Sequence, residues 1–163
     1  MAAPAKPPTF FIAGIIQGSR VGADLHAQDY RRAIRTALEQ AFPGADIFDP
    51  VERYPGSGTY DEARADRALR HLFREAAARD VLVAFVPEAS MGTAIEVWEA
   101  HRAARLVIAI TPLRDNWVLR ACADRLVPDL ASFERFVLDG DLGRLVEARA
   151  PGPDRPARPA RSG

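Results

Sequence analysis

Phe10-Phe11-Ile12-Ala13-Gly14-Ile15-Ile16 is a continuous apolar run that gives way to Gln17-Gly18-Ser19. A strand buried on both faces reads this way, because neither set of its alternating side chains meets water. Asp80-Val81-Leu82-Val83-Ala84-Phe85-Val86 repeats the pattern before Pro87, and Leu106 to Ile110 repeats it before Pro112. Amphipathic segments lie between these runs. From Ala27 to Phe42, apolar residues at Tyr30, Ala33, Ile34, Ala37, Leu38 and Ala41 form one helical stripe, which Pro43-Gly44 stops. Ala45 to Phe48 predicts a short strand closed by Asp49-Pro50, and the prolines and glycines of Val51 to Gly58 predict a surface loop. A helix follows from near Tyr60, burying Ala65, Leu69, Leu72, Phe73 and Ala76. Further helices are expected over Thr93 to Ala104, Asn116 to Leu126 and Asp129 to Leu138.

Strands that alternate with helices pair in parallel through right-handed crossovers, so helices cover both faces of the sheet. The expected fold is therefore a doubly wound α/β domain with a parallel sheet of four or five strands. Leu126-Val127 is the candidate for the fifth.

A chain of 163 residues, 48% hydrophobic and 27% charged, suits one buried core. That single domain is expected over 9–149. Residues 1–8, rich in Ala and Pro, and 150–163, rich in Pro and Arg, are expected to be disordered. Lys plus Arg and Asp plus Glu both total 22, so no overall charge recruits nucleic acid. The first apolar run is too short to span a bilayer, and neither a signal peptide nor a membrane anchor is expected. The single cysteine, Cys122, makes no internal disulfide and suits a reducing compartment, the cytoplasm by default.

In open parallel sheets, ligands bind beyond the carboxyl ends of the strands, where helix N-termini present free N–H groups. One loop on this rim holds Gly14, Ile16, Gln17, Gly18, Ser19 and Arg20. Its small residues, hydroxyl and cation suit a phosphate, although a flexible turn reads the same way, and it is neither a Walker loop nor a GxGxxG fingerprint. Another rim loop reads Ser90-Met91-Gly92-Thr93-Ala94-Ile95-Glu96. A carboxylate one turn inside a helix can act as a nucleophile at an anomeric carbon, provided its surroundings keep it ionised. Thr93-x-x-Glu96 is equally a capping box, in which the glutamate satisfies the backbone of Thr93. Asp49, Tyr54 and Tyr60 are candidates to orient a base or ribose hydroxyls, and Asn116 and Trp117 offer an amide and a stacking face. A strand-ending turn, a packed loop and a helix anchor are their plain alternatives. His26 and His101 lack metal-ligand spacing, and neither metal nor cofactor is expected.

The small residues that end the first strand, the Asp80-Val81-Leu82-Val83-Ala84 strand and Ser90-x-Gly92-x-x-x-Glu96 together resemble the nucleoside 2-deoxyribosyltransferase superfamily. The resemblance runs from roughly Phe10 to Leu126, and the nearest-looking branch is the deoxynucleoside 5′-monophosphate N-hydrolases. It implies a Rossmann-like or flavodoxin-like sheet and a nucleoside or nucleotide substrate. Glu96 matches the family's nucleophile, which carries the sugar at C1′ before water or an incoming base takes it. Ser90, flanked by Met91 and Gly92, matches a phosphate-binding serine, and Gly14 to Arg20 matches a phosphate-side loop. Arg120 stands where the hydrolases place a phosphate-binding serine contributed across a dimer interface, so a homodimer or dimer-based oligomer is implied. The family's helper aspartate falls on Leu72; His71 and Asp66 are the nearby candidates to protonate the leaving base. Gly92-Thr93-x-x-Glu96 also resembles the GTxxE of cytokinin-activating phosphoribohydrolases, which break the same type of bond. The expected activity is hydrolysis of a base–sugar bond. Base exchange by a transferase and a non-catalytic nucleotide-binding module are the alternatives.

Overall fold

A computed structural model of the chain describes residues 6–16 and 27–149. The expectations placed on residues 1–5, on Gln17, Gly18, Ser19, Arg20 and His26, and on 150–163 fall outside the described residues.

The chain runs β1 (Phe10–Gly14), α1 (Asp29–Ala41), β2 (Ile47–Phe48), α2 (Pro50–Arg53), a 3₁₀ turn (Ser57–Thr59), α3 (Glu62–Ala78), β3 (Val81–Phe85) and α4 (Met91–Arg102). It continues through β4 (Leu106–Ile110), α5 (Trp117–Cys122), β5 (Arg125–Val127), α6 (Leu130–Leu138) and α7 (Asp141–Arg149). All strands are parallel, in the order β2-β1-β3-β4-β5, and make a five-stranded sheet. This is the flavodoxin-like order of a doubly wound fold, in which the winding reverses between β1 and β3. Gly14 and Phe85 are register partners at the carboxyl ends of those two strands, so the crevice of the fold opens beside them.

Strand alternation sorts the core into two layers. Phe10, Ile12, Val81, Val83, Leu106 and Ile108 pack with Ile34 and Leu38 of α1, with Phe133 and Val137 of α6, and with Leu142 of α7. Phe11, Leu82 and Val107 face the other way, toward Leu72 and Ala76 of α3, Val97 and Ala100 of α4, and Leu119 of α5. On this second face Ala13, Ala84 and Ala109 lie side by side across three strands. A row of methyl side chains near the carboxyl ends lets α4 come close to the sheet there, with Thr93, Glu96 and Val97 all buried.

Several expectations change. The segment after β2 is not all loop: Asp49 caps α2 by accepting from the Val51 N–H, and Pro50 sits at the first helical position, where a missing N–H costs nothing. The helix expected over Asn116 to Leu126 stops at Cys122, and Arg125 to Val127 pairs with β4 as the fifth strand. An unexpected helix, α7, follows Gly140, whose φ is +82°. Of the α3 residues expected to be buried, Leu72 and Ala76 are, whereas Leu69 is 44% exposed and Ala65 and Phe73 are half-buried. No helix of the described residues is long and apolar enough to cross a membrane.

Candidate functional site

Beside the carboxyl ends of β1 and β3 lies a cavity of about 440 Å³, within the range of small-molecule sites. Gly14 and Ile16 border it from the end of β1, Tyr54 and Tyr60 from the segment after α2, and Ser90, Met91, Gly92, Thr93 and Glu96 from the start of α4. Its remaining wall is α3, through Ala65, Ala68, Leu69, Leu72 and Phe73. The α3 residues that do not reach the core thus have a place. They form the apolar side of a cavity whose polar side is α4.

The cap of α4 differs from the expected one. Ser90, not Thr93, is the N-cap, and its Oγ accepts from the Thr93 N–H at 3.5 Å and from the Thr93 Oγ1 hydroxyl at 3.1 Å. Glu96 therefore stands in the second turn and is no partner in a capping box. Among the described residues, no side chain hydrogen-bonds to its carboxylate.

Glu96 is only 6% exposed, and burial pushes its carboxyl up to about 8, against a smaller pull downward from the Arg31 guanidinium. The field of the helix N-terminus fades within the first turn, so Arg31 is the positive neighbour that replaces it. Arg31 is itself buried on α1. Its Nη1 donates to the Ile12 carbonyl at 3.0 Å and to Asp49 Oδ1 at 2.9 Å, its Nη2 to the Gly14 carbonyl at 3.2 Å, and its Nε to Gln28 Oε1 at 2.7 Å. This fork locks the cation across the ends of β1 and β2. Tyr30 lies next to it, stacked on Phe85 with ring centroids 4.3 Å apart. Burial pushes its hydroxyl up to about 12; Arg31 pulls it down, and the Asp49 and Glu96 charges push it up. A Cβ on Gly14 would come within 2.3 Å of the Tyr30 hydroxyl, so this position has room only for glycine.

Other sequence-derived candidates sit elsewhere. Asp49 does not border the cavity, because its carboxylate is taken by Arg31 and by the Val51 N–H. His71 does not border it either; its Nδ1 lies 2.7 Å from the Tyr54 hydroxyl and its Nε2 3.4 Å from Glu75. Asp66 pairs with Arg70 on the solvent side of α3, and that hydrogen bond holds its carboxyl below the ordinary value. Asn116 caps α5 by accepting from the Leu119 N–H and borders a smaller groove beside α4. Trp117 is 87% exposed and Arg120 is also exposed, both on α5 and outside the cavity. His101 meets the Cys122 carbonyl and stacks on Trp98. No group of three His, Cys, Asp or Glu side chains among the described residues is arranged to hold a metal ion.

Sequence reasoning overlooked Arg31. The signal was present: positions 31, 34 and 38 share one helical face, so an arginine stood inside the apolar stripe, with an acidic residue ending the next strand.

No protein-family model matches the chain, and neither does any curated protein sequence. Among solved structures, the fold is shared with a 2-deoxyribosyltransferase from Bacillus psychrosaccharolyticus. The identity is 13%, the TM-score 0.56, and the match covers 77% of this chain and 90% of that one. A conserved protein from Enterococcus faecalis V583 superposes with TM-score 0.57 at 15% identity, covering 82% of this chain and 99% of that one. The chain thus has the α/β fold of a deoxyribosyltransferase.

Proposed function

We propose that the chain is an N-glycosidase that hydrolyses the base–sugar bond of a nucleoside or nucleoside 5′-monophosphate, with Glu96 as nucleophile. The observation that carries this reading is the Glu96 carboxylate itself: buried, open to the cavity, clear of the helix cap, and next to a locked cation. A carboxylate stripped of water is a strong nucleophile once ionised, and Arg31 favours ionisation without forming a tight pair that would quench it. In the proposed reaction Glu96 attacks C1′, the C1′–N bond breaks toward the base, and water then releases the sugar from the ester. The apolar α3 wall suits the flat face of a base. Ser90 and the first N–H groups of α4 suit the phosphate, as do Ser19 and Arg20 by their sequence.

The likeness to a 2-deoxyribosyltransferase favours a second reading, in which another base takes the sugar in place of water. We further propose a homodimer. Trp98 and Val118 are half-exposed and Trp117 almost wholly so, close to Arg120, and a second copy would cover this apolar face while bringing Arg120 toward the partner's cavity.

The test is incubation of the full chain with a panel of nucleosides and 5′-monophosphates, with and without a second free base. Free base plus sugar or sugar phosphate is expected, and Glu96→Ala should abolish it. Exchanged nucleotide would select the transferase. No release from any member over days, despite tight binding, would leave a binding module instead.

A further inference from the structure

Cleavage of a base–sugar bond leaves an electron pair on a ring nitrogen of the base, and an acid at that end of the cavity speeds departure. Glu96 is spent on the sugar. The remaining hydroxyl-bearing residues of the cavity are Tyr54, Ser57, Tyr60, Ser90 and Thr93. Ser90 and Thr93 bond each other at the start of α4, and the Tyr60 hydroxyl donates to the Pro55 carbonyl at 3.2 Å. Tyr54 is different. Its hydroxyl lies 2.7 Å from His71 Nδ1, and the other nitrogen of that imidazole lies 3.4 Å from Glu75 Oε1. Glu75 is held in turn, its Oε2 accepting from Arg79 Nη2 at 2.8 Å. A chain of proton-carrying groups therefore starts at the cavity and runs outward to His71, whose side chain is 28% exposed and can exchange protons with solvent. His71 and Tyr54 are also in edge contact, ring centroids 5.9 Å apart, and Phe48 meets the imidazole edge-on at the same distance. Both rings are fixed by packing as well as by the hydrogen bond.

We propose that Tyr54 is the acid that protonates the leaving base, with His71 and Glu75 as positioning residues behind it; this rests on the glycosidase reading above. As the Glu96 oxygen bonds C1′ and the C1′–N bond breaks, the base nitrogen takes the Tyr54 hydroxyl proton, and the Tyr54 oxygen takes the Nδ1 proton of the His71 imidazolium. Neutral His71 keeps its Nε2 proton toward Glu75. When water attacks C1′, Glu96 departs with its electron pair as carboxylate, and the proton lost by water returns through Tyr54 to His71. The position beside His71 at which the resemblance expected an aspartate is Leu72, on the cavity wall. The acid would thus come from the neighbouring loop.

The experiment compares two leaving groups on the full chain. One substrate is the nucleotide that the wild type cleaves fastest; the other carries 4-nitrophenolate on the same sugar phosphate, a leaving group that departs as a stable anion and needs no proton. Tyr54→Phe keeps the ring and removes the acid. It should lower kcat/KM for the nucleotide roughly a hundredfold while changing the nitrophenyl substrate less than about threefold. His71→Gln should give a smaller loss with the same leaving-group dependence, and combining it with Tyr54→Phe should add nothing further. Equal losses on both substrates would make Tyr54 a purely structural residue and overturn the proposal, as would no loss on either. A wild type that releases nitrophenolate but no base from any nucleotide would refute nucleotide cleavage itself, a different result from the failure of Tyr54 alone.

Discussion

Arg31 reaches from α1 across the carboxyl ends of β1 and β2 and holds Asp49 at 2.9 Å, with side-chain exposures of only 4% and 5%. A cation this deep needs partners for its donors, and the Ile12 and Gly14 carbonyls with Gln28 take three more of its five N–H groups. Removing one partner strands the other charge. Asp49→Asn and Arg31→Met should each cost about 3–5 kcal/mol in chemical denaturation. The double variant should lose less than the sum of the two, since neither charge is then left alone.

Glu96 makes activity and stability depend on pH in opposite directions. Its carboxyl is pushed up to about 8 by burial, from an ordinary 4.5, so the fraction ionised grows with pH until about 8. With the carboxylate as nucleophile, kcat/KM should rise about tenfold per pH unit below that value, as the ionised fraction grows. Between 4.5 and about 8 the folded chain keeps a proton that the unfolded chain releases, so this group's contribution to stability falls as pH rises through the window. Glu96→Gln should therefore gain on the wild type in melting temperature from acid to alkaline pH, and match it most closely near pH 4.5.

Gly14 is fixed by contact. Because an added Cβ would lie 2.3 Å from the Tyr30 hydroxyl and 2.8 Å from Cζ of a buried, stacked ring, Gly14→Ala must displace Tyr30 or β1. A loss of about 1–3 kcal/mol is expected from overpacking. Adding Tyr30→Phe, which removes the nearest atom, should restore part of it, as thermal melts of the single and double variants would register.

Ser90 is predicted to have two separable roles. As N-cap of α4 it accepts from Thr93, and Ser90→Ala should cost about 1 kcal/mol. Ser90→Asp keeps a capping oxygen but brings a negative charge to the phosphate end. Its melting temperature should stay near that of the wild type, while KM for a 5′-monophosphate rises and KM for the matching nucleoside does not.

What the sequence disclosed, and what it hid, follows from the reach of each signal. The strands β1, β3 and β4 are buried on both faces, and an unbroken apolar run is how such a strand must be written. The strand β5 is three residues long with Arg125 exposed, too short for any period to register. In α2, Pro50 and the loop-like composition around it masked a helix of four residues, and in α7 the apolar stripe is only Leu142, Leu145 and Val146, with Gly143 lowering the helix propensity between them. The cavity residues Gly14, Ile16, Ser90, Met91, Gly92 and Glu96 were legible because the rim of a parallel sheet is fixed by topology. The pairing of Arg31 with Asp49 and that of Tyr54 with His71 were not, since each joins residues 17 or 18 apart across different elements. Local periodicity carries nothing about such pairs.

In the proposed reaction the Glu96 oxygen forms a covalent bond to the sugar. Acid quenching of the full chain during turnover of a cleaved nucleotide, followed by proteolysis and mass spectrometry, tests it directly. A sugar or sugar-phosphate adduct on the peptide containing Glu96 is expected, with no adduct and no base release in Glu96→Gln. Sustained base release by Glu96→Gln at the wild-type rate, with that peptide unmodified in both proteins, would contradict it.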